Sequence, residues 1–111
     1  MSAGEVEVGA VEDIPLGEGR TYAVNDAQVA VFRLRDGSLR ALDAVCPHRG
    51  GPLADGLIDE QVVVCPLHGH TFDTSTGCEV GGDMAVRTYR VSAVAGAIRL
   101  NLTADVSPRL A

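Results

Sequence analysis

The chain has 111 residues, enough for one compact core but with little room for a second domain carrying its own active site. Its nine basic residues, all Arg, stand against 15 acidic ones for a net charge of −6, which works against nucleic acid, since that partner needs clustered basic side chains. Hydrophobic residues make up 46% and charged ones 22%, and no stretch approaches the roughly 20 apolar residues of a spanning helix, so a globular protein without a membrane anchor is expected.

In chain order, Glu5–Val8 alternates polar and apolar residues and predicts a strand, and Val11–Pro15 predicts one helical turn before Gly17. Gln28–Leu34 also reads as a period-two strand. Asp36-Gly37 follows as a hairpin signal, then Leu39–Val45, so these two strands should pair. Gln61–Val64 is a short apolar strand, and Thr71–Asp73 is another that runs into the turn-forming Thr74–Gly77. Val86–Val94 and Ala97–Leu102 flank a turn at Gly96. Nothing reads as a long helix, and 13 Gly and 5 Pro gather between the strands. The expected fold is therefore all-β, a small antiparallel sandwich or open barrel, with residues 1–111 as one domain and a loosely ordered tail over 103–111. Met1–Glu5 has neither the basic start nor the apolar run of a secretory signal, which predicts a cytoplasmic protein. Three cysteines in that compartment point to metal or redox chemistry and away from a disulfide framework.

The chemistry concentrates in two clusters, Cys46-Pro-His48-Arg-Gly-Gly51 and Cys65-Pro-Leu-His68-Gly69, with sixteen residues between His48 and Cys65. Each begins where a β-run ends, so two loops emerging side by side from a sheet would bring four ligands to one point. Thiolates suit iron–sulfur centres and zinc, and imidazole suits iron, zinc and copper. A zinc site more typically takes a thiolate pair from one knuckle and a histidine pair from another, whereas each loop here supplies one of each. A binuclear iron cluster explains the mixture, with Cys46 and Cys65 on one iron and His48 and His68 on the other. A structural zinc module remains the rival on the same four residues. An oxygen-activating enzyme fails on inventory, because after His48 and His68 only His70 remains to build a two-His-one-carboxylate site.

This pattern, with Pro after each Cys and Gly after His68, closely resembles the Rieske ferredoxin family. The likeness extends through Gly50-Gly-Pro-Leu-Ala-Asp-Gly56, Cys65–Asp73, Thr76-Gly77 and Val86-Arg-Thr-Tyr-Arg-Val91, covering most of residues 5–102. The resemblance implies a Rieske-type 2Fe–2S cluster on a small subdomain of two loops, about residues 44–73. It implies an electron carrier that is not catalytic by itself. Its partners would be an NAD(P)H- or flavin-dependent reductase and a terminal oxidoreductase, either the large subunit of a nitrite reductase or an oxygenase. The 50–56 and 86–89 stretches look more like the nitrite reductase small subunit, with the ferredoxin component of a ring-hydroxylating dioxygenase as the alternative. Gly51 and Leu67 stand where high-potential relatives carry extra cysteines, and His70 and Phe72 where those relatives carry a Ser and a Tyr. Fewer donors to the cluster place the expected potential near the low end of a span of about −150 to +300 mV.

Other residues carry plainer expectations. Glycines 50, 51, 56 and 69 would bring backbone N–H groups close to an anionic cluster, while Pro47 and Pro66 stiffen the loops. Cys78 matches no ligand position and is expected buried as a small apolar residue. His70 and Arg49 are expected on the surface, where they would help dock a partner if they act at all. Phe72 and Leu67 would cover the cluster, and Tyr22, Phe32 and Tyr89 belong in the core.

Overall fold

The computed structural model describes residues 5–24, 27–45, 52–66 and 69–106, with residues 102–106 in backbone only. Nine strands and two 3-10 turns make up the described chain: β1 (Glu5–Ala10), η1 (Val11–Asp13), β2 (Glu18–Val24), β3 (Ala27–Arg33), β4 (Leu39–Asp43), η2 (Leu53–Asp55), β5 (Leu57–Asp59), β6 (Val62–Val64), β7 (Thr71–Asp73), β8 (Thr88–Val94) and β9 (Ala97–Val106). Six strands form one antiparallel sheet in the order β1-β9-β8-β4-β3-β2, and β5-β6-β7 form a second, smaller one. No helix among the described residues is long and apolar enough to cross a membrane.

The large sheet curls into an open half-barrel. Val29, Val31, Ala41, Tyr89, Ile98 and Leu100 fill its hollow, joined by Val6 and Val8 of β1 and Tyr22 of β2. Its outermost strands approach each other through Tyr22: a Cβ placed on Gly9 would stand 3.1 Å from the tyrosine ring and hydroxyl. A second cluster lies on the other face, where Ala30, Phe32, Leu34, Leu42 and Ala44 meet Leu53, Ala54, Ile58, Val63 and Phe72. β3 therefore buries both faces. Residues 29–32 form an unbroken buried run, and the period-two reading of Gln28–Leu34 does not hold.

The predicted hairpin of β3 and β4 forms as expected, with Arg33 opposite Leu39. Its turn closes through Gly37 N–H to the Leu34 carbonyl at 2.9 Å, with Gly37 at φ +92°, and the Asp36 carboxylate accepts from Ser38 N–H and hydroxyl. Those bonds hold Asp36 below the usual carboxylate range. β8 and β9 meet at the two-residue turn Ala95-Gly96, both residues at positive φ. β9 continues to Val106, whose backbone pairs with Thr88, so the first four residues of the expected loose tail belong to a strand. Residues 107–111 lie outside the described residues. The helical turn expected at Val11–Pro15 is η1.

β2, β5 and η2 escaped the sequence reading. β2 is an edge strand, largely exposed, with Gly19 as its second residue. A Cβ there would lie 2.5 Å from the Phe32 ring, so the glycine that hides the strand's pattern is what lets Phe32 pack beneath it.

Candidate metal centre

Both cysteine–histidine clusters fall on connections whose feet are pinned by backbone bonds. The first leaves β4 through Ala44 and Val45 and returns at Pro52; Val45 bridges Pro52, and Leu53 N–H donates to the Ala44 carbonyl at 2.9 Å. Cys46, His48, Arg49, Gly50 and Gly51 occupy this connection and lie outside the described residues. The second joins β6 to β7. Cys65 N–H donates to the His70 carbonyl at 2.7 Å, and Gly69 N–H donates to the Cys65 carbonyl at 3.0 Å, closing the loop on itself one step beyond the Val64–Thr71 pair. Leu67 and His68 of this loop also lie outside the described residues.

Of the four expected ligands, Cys65 is thus the one whose placement is described. It is a free cysteine, 1% exposed, packed in the same apolar cluster as Phe72, Val63 and Leu53. Phe72 is fully buried in the same apolar cluster as Cys65. Among the described residues, no three His, Cys, Asp or Glu side chains are grouped to hold a metal.

Gly56 ties the two loops together. Its backbone is ordinary (φ −72°, ψ 166°), but an added Cβ would stand 2.3 Å from the Val64 carbonyl oxygen, 2.8 Å from Val63 Cγ2 and 3.1 Å from the Leu53 carbonyl oxygen. The chain leaving the first loop is therefore pressed against the strand that enters the second. Two of the four glycine amides, those of Gly56 and Gly69, do other work than expected. Gly56 N–H donates to Leu53 and closes η2, and Gly69 N–H is taken by Cys65, so both are satisfied within the loop scaffold.

His70 is also more than a surface residue. Its Nδ1 lies 2.7 Å from Glu79 Oε2, and the two side chains are 27% and 11% exposed. Glu79 Oε1 accepts the Met84 N–H at 3.2 Å, and Glu79 pairs with Phe72 through an isolated bridge. Glu79 lies nine positions beyond His70, a spacing with no period to betray it. Cys78 is half-buried, not buried as expected, because it sits on the segment beside β7 and bridges Ala85. Asp73 Oδ1 collects Ser75 N–H, Ser75 hydroxyl and Thr76 N–H and so builds the turn after β7. Burial pushes its carboxyl up, but those bonds outweigh it and hold the group below its ordinary value.

At the foot of the first loop, Asp43 joins β4 to β8. Tyr89 hydroxyl donates to Asp43 Oδ1 at 2.7 Å, Arg87 N–H donates to Oδ2 at 2.9 Å, and Asp43 N–H donates to the Arg87 carbonyl at 2.9 Å. Burial, then the bond to Asp43 and its negative charge, push the Tyr89 phenol up to about 12.

Comparison with known proteins agrees with this arrangement. The family described as Rieske [2Fe-2S] domain matches residues 4–90. The ferredoxin component of the naphthalene 1,2-dioxygenase/salicylate 5-hydroxylase systems of Ralstonia sp. is 30% identical over 77 residues, 69% of this chain and 73% of that protein. Among solved structures, a Mycobacterium tuberculosis protein assigned as the small subunit of an NADH-dependent nitrite reductase superposes with a TM-score of 0.81 at 25% identity, covering 86% of this chain and 92% of that one. The ferredoxin of carbazole 1,9a-dioxygenase from Nocardioides aromaticivorans IC177 gives 0.80 at 25% identity, covering 96% and 100%. Several longer curated relatives are matched over only 11% to 17% of their length.

Proposed function

The chain belongs to the Rieske [2Fe-2S] domain family, and from that premise we propose that it is the small subunit of an NAD(P)H-dependent nitrite reductase, or fills a closely similar post. Its function is electron transfer, and a 2Fe–2S cluster is the group a Rieske domain binds. We assign Cys46, His48, Cys65 and His68 as the ligands. The observation that carries the assignment is the pair of pinned connections, each bearing one Cys and one His, with Cys65 a free thiol shielded from water. When bound, the cluster takes up and releases single electrons.

The chain's own residues do the rest. Val45 and Pro52 at one loop, and Cys65 and His70 at the other, hold the ligand backbones in hydrogen-bonded frames, which limits rearrangement when charge arrives. Phe72 and the apolar cluster around Cys65 exclude water from the thiolate side. Val45 and Leu57, 48% and 76% exposed beside the loop feet, offer apolar contact to a transient partner. A cytoplasmic location and a reductase that supplies electrons from NAD(P)H or flavin belong to the same reading.

The ferredoxin and oxygenase-system relatives favour a second reading, in which the terminal acceptor is a ring-hydroxylating oxygenase. Reconstitution separates the two. Anaerobically purified protein is expected to contain iron, to give an electron paramagnetic resonance signal on reduction, and to support nitrite reduction with a sirohaem-type large subunit. Turnover with oxygenase components alone selects the second reading. Colourless protein containing zinc and no iron defeats both.

A further inference from the structure

Outside the proposed ligand set, a pair of chemically capable side chains among the described residues stands at the end of the second loop: His70 and Glu79. The loop over residues 65–70 is closed at its base by Cys65 N–H to the His70 carbonyl, so the position of His70 sets that of the Cys65 backbone. The His70 side chain supplies a lateral hold, with Nδ1 2.7 Å from Glu79 Oε2. A carboxylate only accepts, so His70 Nδ1 carries the proton in this bond.

Glu79 is itself firmly placed. Its N–H donates to the Met84 carbonyl at 2.8 Å, its Oε1 accepts Met84 N–H at 3.2 Å, and the following Val80 N–H donates to Thr71 of β7 at 2.8 Å. Space is reserved for the carboxylate as well. A Cβ on Gly82 would lie 2.2 Å from Glu79 Oε1 and 2.3 Å from its Cδ, and Gly82 is not among the glycines at positive φ. Gly82 is therefore a glycine for room, and the room is filled by Glu79.

We propose that Glu79 is a positioning residue for the cluster: acting through His70, it anchors the Cys65–His68 loop to the 79–84 turn and, as a largely buried carboxylate beside that loop, holds the potential down. The inference rests on Cys65 and His68 being cluster ligands. The electrostatic part follows from sign, because an electron added to the cluster is opposed by a neighbouring anion in a medium that screens poorly. The mechanical part follows the general behaviour of outer partners of metal ligands, whose loss costs roughly 10–100-fold in metal affinity.

The test uses the intact, cluster-loaded protein. Glu79→Ala is expected to raise the midpoint potential, broaden the reduced-state paramagnetic resonance spectrum and speed cluster loss to a chelator by roughly tenfold. Glu79→Gln keeps an oxygen acceptor for His70 Nδ1–H without the charge. It is expected to recover the wild-type cluster lifetime while keeping a raised potential. His70→Ala should reproduce the short lifetime, and His70→Ala with Glu79→Ala should lose the cluster no faster than either alone. If Glu79→Ala folds poorly, Glu79→Gln with its potential still decides. Lower thermal stability with potential, spectrum and cluster lifetime unchanged overturns the proposal, as does a double variant whose cluster loss is the product of the two single effects. Wild-type protein without the iron signal overturns the ligand assignment instead, and this inference with it.

Discussion

Gly56 shows what a single residue contributes here. Its backbone angles suit any residue, so its reason for being glycine is the 2.3 Å that a Cβ would leave to the Val64 carbonyl oxygen. Gly37 is the opposite case, at φ +92° with nothing within 4 Å of an added Cβ. Gly56→Ala is expected to cost about 1–3 kcal/mol through overpacking and to reduce iron content, because the strained contact lies between the chain leaving the first ligand loop and the strand entering the second. Gly37→Asn, which tolerates the left-handed region, should be nearly neutral. Urea denaturation with iron analysis checks both, and equal losses at the two sites would contradict the distinction. Sequence reading picked out Gly56 as a special glycine but gave it the wrong task. A stretch such as Gly50–Gly56 signals backbone need without saying whether that need is an amide aimed at a ligand or room for a neighbouring carbonyl.

At the scale of elements, the seam between β4 and β8 sets the first ligand loop on its base. Its regular ladder holds only Ala41–Tyr89 and Leu42–Thr88, and the Asp43 side chain extends it by receiving Tyr89 hydroxyl and Arg87 N–H. Tyr89, pushed up to about 12, is neutral in the fold at a pH where an unfolded tyrosine, near 10, has ionised. The folded state thus gains from this group fully below pH 10 and loses that gain as pH rises from 10 to 12. Tyr22, raised in the same direction mainly by burial, adds to the slope. Tyr89→Phe should cost about 1–2 kcal/mol near pH 8, and its deficit against wild type should close by pH 12. Chemical denaturation across that range measures it, and a constant deficit would exclude the tyrosine. With two Tyr and no Trp, tyrosinate absorbance follows both phenols directly.

Elements with strong one-sided patterns or turn signals were legible from residues alone: β1, the β3–β4 hairpin, β6, β7 and the β8–β9 turn. Illegible elements had physical reasons for silence. β2 is an exposed edge strand with a glycine at its second position, and β5 is three residues long with Leu57 facing solvent. β9 runs past its apolar segment because its backbone pairs with β8, a partner that no local pattern announces. The same division marks the site. Cys46, His48, Cys65 and His68 stand out by spacing, whereas the hold of Glu79 on His70 exists only once β7 and the segment after it lie side by side.

At the scale of the whole molecule, the two apolar clusters divide the labour. The cluster inside the half-barrel draws on all six strands of the large sheet and, among the described residues, takes nothing from the ligand loops. The other contains Cys65 itself, with Ile58, Val63 and Phe72 from the small sheet and Leu53 and Ala54 from the chain leaving the first loop. Metal ligation adds its binding energy to whatever part of the fold the ligands belong to. Removing iron should therefore weaken the two halves unequally. In the iron-free protein, amide hydrogens of β5, β6 and β7 are expected to exchange much faster than in the loaded form, while those of β3, β8 and β9 keep most of their protection. A carrier divided in this way would keep its barrel whatever the state of the cluster and confine its dependence on metal to the small sheet and the loops proposed to hold the ligands. Hydrogen exchange by mass spectrometry on loaded and iron-free protein decides the matter: uniform loss of protection across both sheets would show one cooperative unit built around the metal.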